Sequence, residues 1–123
     1  MVVVAVVEDD ASILDAIRLV LEDEGWDARM YPTGEAFLAD LERGNAFDCV
    51  LIDPHLPGKT GAEVALALAG SGVPMLVLTA RPDSPLTSLV AQLGARAVIT
   101  KPVDALALTA AIGAWLPECP APH

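Results

Sequence analysis

The segment Val50-Leu51-Ile52-Asp53-Pro54-His55-Leu56-Pro57-Gly58 (VLIDPHLPG) runs three apolar residues straight into an aspartate and then into two prolines. A strand covered on both faces reads as a short unbroken apolar run, and proline cannot continue a ladder that needs its N–H. Asp53 therefore stands at the carboxyl end of a buried strand, where a lone carboxylate calls for a partner.

Working outward, residues 2–7, 26–30, 48–52, 74–79 and 96–100 read as strands, and the first, third and fourth are nearly unbroken in apolar residues. Helical patterns fill the gaps. Thr60 with Glu63 has the spacing of a capping box, Ser84 followed by Pro85 reads as an N-cap and first helical residue, and Gly25, Gly44 and Gly94 are C-terminal stops. Strands and helices alternate from end to end, which predicts an α/β fold. With right-handed crossovers it becomes a flavodoxin-like, doubly wound five-stranded parallel sheet of order 2-1-3-4-5 with five helices. Residues 1–116 form one domain, and the Pro-rich stretch PECPAPH at 117–123 reads as a short tail.

Composition excludes several classes of partner. Of 123 residues, 54% are apolar and only 4% aromatic, which is a globular composition. Seven basic against seventeen acidic residues give a net charge of −10, which repels a polyanion, so nucleic acid is not expected as a partner. Cys49 and Cys119 have no CxxC spacing, and both read as structural or incidental. No basic leader precedes the opening valines and no apolar run approaches a membrane span, so a cytoplasmic protein without membrane contact is expected.

In an open parallel sheet, ligands bind beyond the carboxyl ends of the strands, where the strand order reverses. Four strands bring polar residues there: Glu8, Asp9 and Asp10 after the first, Asp53 after the third, Thr79 ending the fourth and Lys101 after the fifth. Two carboxylates about 4 Å apart repel by roughly 4 kcal/mol at an effective dielectric near 20. Such a cluster implies a bound cation, and an all-oxygen donor set suits Mg²⁺ and argues against zinc. A carboxylate-held metal beside a lysine and a hydroxyl is equipment for a phosphoryl group. The chain carries neither GxxxxGK[ST] nor GxGxxG, so the acceptor is sought among its own side chains, and Asp53 is the candidate.

The chain resembles the receiver domain of bacterial two-component response regulators over its length to about Leu116. The resemblance rests on VVEDD (6–10), LIDPHLPGKTG (51–61), VLTA (77–80) and KP (101–102), in that order and each at the end of an expected strand. It implies that Asp53 is phosphorylated by a histidine kinase or phosphotransfer protein. Glu8 and Asp9 with Asp53 and the His55 carbonyl would hold Mg²⁺, Thr79 would bond a phosphoryl oxygen and Lys101 would neutralise another. Such a domain signals by protein contact in a phosphorelay and is no enzyme beyond promoting its own phosphorylation and dephosphorylation. Alternatives are a receiver excised from a larger regulator or hybrid kinase, a receiver-like module that binds partners without phosphorylation, and a flavodoxin-like cofactor enzyme. The last lacks a phosphate loop and stacking aromatics.

Other residues have plainer readings. Asp10 reads as the cap of the first helix, His55 as a loop side chain beside the acceptor, and Arg81 as a surface charge or a gate. Members of the resembled family often carry an aromatic residue three positions before the lysine, where this chain has Val98, which puts the usual threonine-to-aromatic switch in doubt. No segment with a DNA-binding or enzymatic pattern follows the fifth helix, and a stand-alone receiver is expected. In this family kinases dock on the first helix and the loop after the lysine, here Ala11, Ser12, Asp15, Pro102 and Val103. The helix 4–strand 5–helix 5 face reads either as an interaction surface, for a second copy as a homodimer or for another protein, or as the plain outside of a weakly amphipathic, Ala-rich helix. There the fifth helix (105–116) would bury Leu108, Ile112 and Trp115 and present Leu106, Ala110 and Gly113 as a second apolar line.

Overall fold

The valine run at the start of the chain forms β1 (Val3–Val7), the strand between β2 (Asp27–Tyr31) and β3 (Cys49–Ile52) in a computed structural model that describes residues 1–58 and 61–116. β4 (Met75–Thr79) and β5 (Ala97–Thr100) extend the sheet, every pairing is parallel, and the order is β2-β1-β3-β4-β5. The expected topology is the observed one. Strand ends differ from the sequence reading by a residue or so: Val2, Trp26, Asp48, Pro74 and Arg96 precede their strands, and Tyr31 extends β2.

Side chains along a strand alternate between faces, and helices on both sides turn that alternation into two cores. Ala5, Val7, Val50, Ile52 and Val77 pack with Phe37, Val64, Leu68 and Val90 from α2 (Gly34–Glu42), α3 (Gly61–Leu68) and α4 (Pro85–Gln92). Val4, Val6, Leu51, Leu76, Leu78 and Ile99 pack with Leu14, Ile17 and Leu21 of α1 (Ala11–Asp23) and with Leu108 and Ile112 of α5 (Ala105–Gly113). Cys49 is fully buried in this second core, and burial pushes its thiol up to about 12, which fits a packing role.

Among the described residues, four helices start on a side-chain cap. Asp10 accepts from the amides of Ser12 and Ile13, Thr33 from Ala36, Ser84 from Thr87 and Asp104 from Ala107. Each cap contributes about 1 kcal/mol. The expected cap of α3, Thr60, lies outside the described residues, as does the tail at 117–123, which includes Cys119. Gly25, Gly44 and Gly94 take the positive φ expected of helix stops.

The fifth helix departs from its expected form. It ends at Gly113, three residues short of Leu116, and Trp115 lies past its end with its ring 5.1 Å from the Arg96 guanidinium carbon. Trp115 is therefore not in the buried stripe: a cation-π contact holds an indole that is 39% exposed. Leu108 and Ile112 are the buried residues of the stripe, with Ala111 half-buried beside them, while Leu106, Ala110 and Gly113 face solvent. The face that would meet a second copy presents exposed Leu89, Val98 and Leu106.

Candidate functional site at the carboxyl edge of the sheet

Backbone pairing continues just past the strands and places the polar residues. The Glu8 amide donates to Tyr31 O, the Asp53 amide to Val7 O, and the Lys101 amide to Thr79 O, so each enters the edge in register with its neighbour. Gly61 lets α3 press against the strand end. A Cβ there would come within 2.6 Å of Pro54 Cα and 2.8 Å of Asp53 O, so only glycine permits this approach.

Asp53 is the centre of the site and is 6% exposed. Its Oδ1 accepts from the His55 amide at 2.8 Å, and its Oδ2 accepts from Lys101 Nζ at 3.0 Å. The Lys101 ammonium also pairs with Glu8 Oε1. Burial alone would lower the Lys101 pKa, but hydrogen bonds and charge from Glu8 and Asp53 outweigh it and hold the group above its ordinary value. It is a fixed cation among carboxylates.

Glu8 is fully buried, which the sequence, reading it only as one of three consecutive acids, did not indicate. Its Oε2 accepts from the amides of Asp9 and Asp10, while Oε1 meets the Lys101 ammonium. Burial raises its pKa to about 7, against the opposing pull of Lys101 and with support from Asp9 and Asp53.

Carboxylate oxygens of Glu8, Asp9 and Asp53 lie within 4.8 Å of one another. Three hard carboxylate oxygens drawn together, with a single ammonium beside them, fit a small divalent cation such as Mg²⁺. Asp10, by contrast, is spent as the α1 cap, as expected. Thr79 is fully buried at the end of β4, its Oγ1 accepting from the Arg81 amide at 2.9 Å, and Arg81 itself is exposed. Val98 is 43% exposed on β5 and carries no polar tip.

Beside the site, Ser12, Ile13, Ala16, Ile17, Ala80, Lys101, Pro102 and Val103 line a largely apolar groove of about 490 Å³. It brings together Ser12, Pro102 and Val103 of the expected docking surface, and adds Ile13, Ala16 and Ala80. A further contact escaped the sequence: His55 Nε2 lies 2.9 Å from Ser84 Oγ, a pair separated by 29 positions. Ser84 was legible only as a helix cap, and no local pattern links it to His55.

Among the described residues no helix is long and apolar enough to cross a membrane. The chain matches the family model "Response regulator receiver domain" over residues 4–113. It is 42% identical over 115 residues to the sensory transduction protein RegX3 of Mycobacterium tuberculosis, covering 92% of this chain and 50% of that protein. It is 37% identical over 114 residues to the DNA-binding response regulator MtrA of Mycobacterium leprae, again covering 92% and 50%. A CheY-like receiver domain structure from Methanospirillum hungatei superposes with a TM-score of 0.86 at 28% identity, covering 93% of this chain and 92% of that one.

The chain spans about half the length of the curated relatives it matches, so the expectation of a stand-alone protein finds no support in them. Because MtrA is described as DNA-binding, the expectation that nucleic acid is no partner is likewise unsupported, and the charge argument concerns this domain's own surface only. The strand order, the carboxyl-edge cluster and these matches lead to one assignment: the chain belongs to the response regulator receiver domain family of two-component signal transduction.

Proposed function

We propose that the chain takes a phosphoryl group onto Asp53 from the phosphohistidine of a histidine kinase or phosphotransfer protein. The observation that carries this is the setting of the Asp53 carboxylate, held on one oxygen by the His55 amide and on the other by Lys101, opposite Glu8 and Asp9. In the transfer, an Asp53 oxygen forms the new P–O bond while the P–N bond to the donor imidazole breaks. The His55 N–H and the Lys101 ammonium fix the carboxylate before attack, which is where an in-line displacement gains most from positioning. Lys101 stays charged throughout and neutralises phosphoryl oxygen charge as it develops. Thr79 Oγ1, pinned by the Arg81 amide, keeps its own hydroxyl proton to donate to a phosphoryl oxygen.

Mg²⁺ held by Glu8, Asp9, Asp53 and the His55 carbonyl would supply positive charge against both the carboxylate cluster and the incoming phosphoryl group. The chemistry begins and ends on the chain's own side chain, so the domain acts as a phosphoacceptor and signals by contact with other proteins. Acetyl phosphate supplies the same group without a kinase. Incubation with it and Mg²⁺ should add one base-labile phosphoryl mass, and EDTA should prevent the addition. No mass change under saturating donor and metal would overturn the proposal.

A further inference from the structure

His55 and Ser84 belong to a run of polar contacts that leaves the acceptor site, passes through the start of α4 and returns to the site at Thr79. Ser84 Oγ lies 2.9 Å from His55 Nε2 and 3.0 Å from Thr87 Oγ1. Thr87 Oγ1, on a side chain only 2% exposed, donates to Arg81 O at 2.8 Å, and the Arg81 amide donates to Thr79 Oγ1 at 2.9 Å. On the other flank, His55 Nδ1 stands 3.7 Å from Asp53 Oδ1, beyond hydrogen-bond range but in line of charge. Thr79 and Asp53, the two residues that flank the position of a phosphoryl group, are thus both tied to the same helix cap.

Proton counting leaves two directions for these bonds, and the charge on Asp53 selects between them. The Thr87 hydroxyl proton is committed to Arg81 O, and Ser84 Oγ already accepts the Thr87 amide at 3.1 Å. Ser84 then has one proton to give, either to Thr87 Oγ1 or to His55 Nε2. Given to His55 Nε2, it leaves the ring proton of a neutral imidazole on Nδ1, facing the Asp53 carboxylate. The reverse tautomer would set the Nδ1 lone pair against that carboxylate.

We infer that His55 and Ser84 form a latch through which the state of Asp53 acts on the first turn of α4, an inference that rests on Asp53 being the phosphoacceptor. A dianionic phosphoryl group on Asp53 brings new acceptor oxygens toward His55 Nδ1–H. The ring is drawn toward the site, and its Nε2 lengthens or releases the bond to Ser84. Ser84 caps α4, so the helix start responds. His55 is here a positioning residue, acting through Ser84.

The test is backbone amide NMR of the full chain with Mg²⁺ and beryllofluoride, in the unaltered protein, His55→Ala and Ser84→Gly. Glycine retains most of the N-cap preference, so Ser84→Gly removes the hydroxyl at a cost of only a few tenths of a kcal/mol. In the unaltered chain, shifts are expected around Asp53 and Lys101 and also at Thr87–Val90. Both variants keep the backbone N–H and C=O of residue 55 that serve the acceptor site, so the shifts around Asp53 and Lys101 should persist while those in α4 are mostly lost. Undiminished α4 shifts in the loaded variants would overturn the latch alone. A folded variant that no longer loads would also overturn it, because the side chain would then serve binding. Absence of any response in the unaltered chain would overturn the phosphoacceptor assignment and the latch with it. Independently of loading, imidazole ¹⁵N shifts of the free protein at neutral ring charge should report the Nδ1–H tautomer of His55, moving toward Nε2–H in Ser84→Gly. An Nε2–H tautomer in the unaltered chain would contradict the latch.

Discussion

Lys101 Nζ rests 3.0 Å from Asp53 Oδ2 across 48 positions of sequence and at the same time pairs with the fully buried Glu8. One ammonium therefore serves two carboxylates, and its removal leaves both without a countercharge. Lys101→Met should cost about 3 kcal/mol at pH 8, the scale for breaking a buried ion pair from one side. The cost should be smaller at pH 5.5, where Glu8 takes up a proton, and labelling by acetyl phosphate should fall by roughly 100-fold. Urea titrations at the two pH values check the first part; an equal cost at both would contradict it.

Glu8 gives the metal-free domain an unusual pH dependence. Its folded-state pKa is raised, so its contribution to stability is fully present below its ordinary value of 4.5 and is lost as pH rises through about 7. On that scale the loss is roughly 3 kcal/mol. Lys101, also raised, contributes below its ordinary value of 10.5, outside this window. Chemical denaturation in EDTA from pH 5 to 8 should show stability falling for the unaltered chain and a flatter profile for Glu8→Gln. Adding Mg²⁺ at pH 8 should restore much of the loss. Parallel profiles for the two proteins would count against the burial of Glu8 as the cause.

Gly61 and Gly113 make a matched pair of tests. An added Cβ at Gly61 would strike the Pro54 and Asp53 backbone, whereas at Gly113 it meets nothing within 4 Å. Gly61→Ala should destabilise by about 1–3 kcal/mol through overpacking and slow acetyl phosphate labelling by displacing Asp53. Gly113→Ala, at the last residue of α5, should be neutral or stabilising by up to about 1 kcal/mol. Equal thermal midpoints for the two variants would show that the α3 approach is not tight.

The groove beside the site gives the docking expectation a specific form. Ser12 and Val103 line it together with Ile13 and Pro102, next to Lys101. Ser12→Arg should fill the groove with a charged chain, slowing transfer from a cognate kinase at least 10-fold, an amount equal to about 1.4 kcal/mol, while sparing labelling by acetyl phosphate. Loss of both in proportion would mean the site itself had been damaged.

Much of this arrangement was legible in the chain because it depends on local order. Unbroken apolar runs identified β1, β3 and β4, and Ser84-Pro85 marked the start of α4. The acidic cluster and Lys101 followed once each was placed at a strand end, since parallel strands bring all their carboxyl ends to one edge. What escaped were consequences of packing. The complete burial of Glu8 depends on how its neighbours close over it. The seat of Trp115 depends on Arg96, a residue from before β5. The contact of His55 with Ser84 joins two loops that no periodicity relates.

The most direct measurement of the central claim is intact-mass spectrometry of the unaltered chain and of Asp53→Asn after acetyl phosphate and Mg²⁺. The amide keeps the shape of the side chain and removes its nucleophilic charge. One labile phosphoryl group on the unaltered chain and none on Asp53→Asn is the predicted result. Undiminished labelling of Asp53→Asn would contradict the assignment of Asp53 as acceptor.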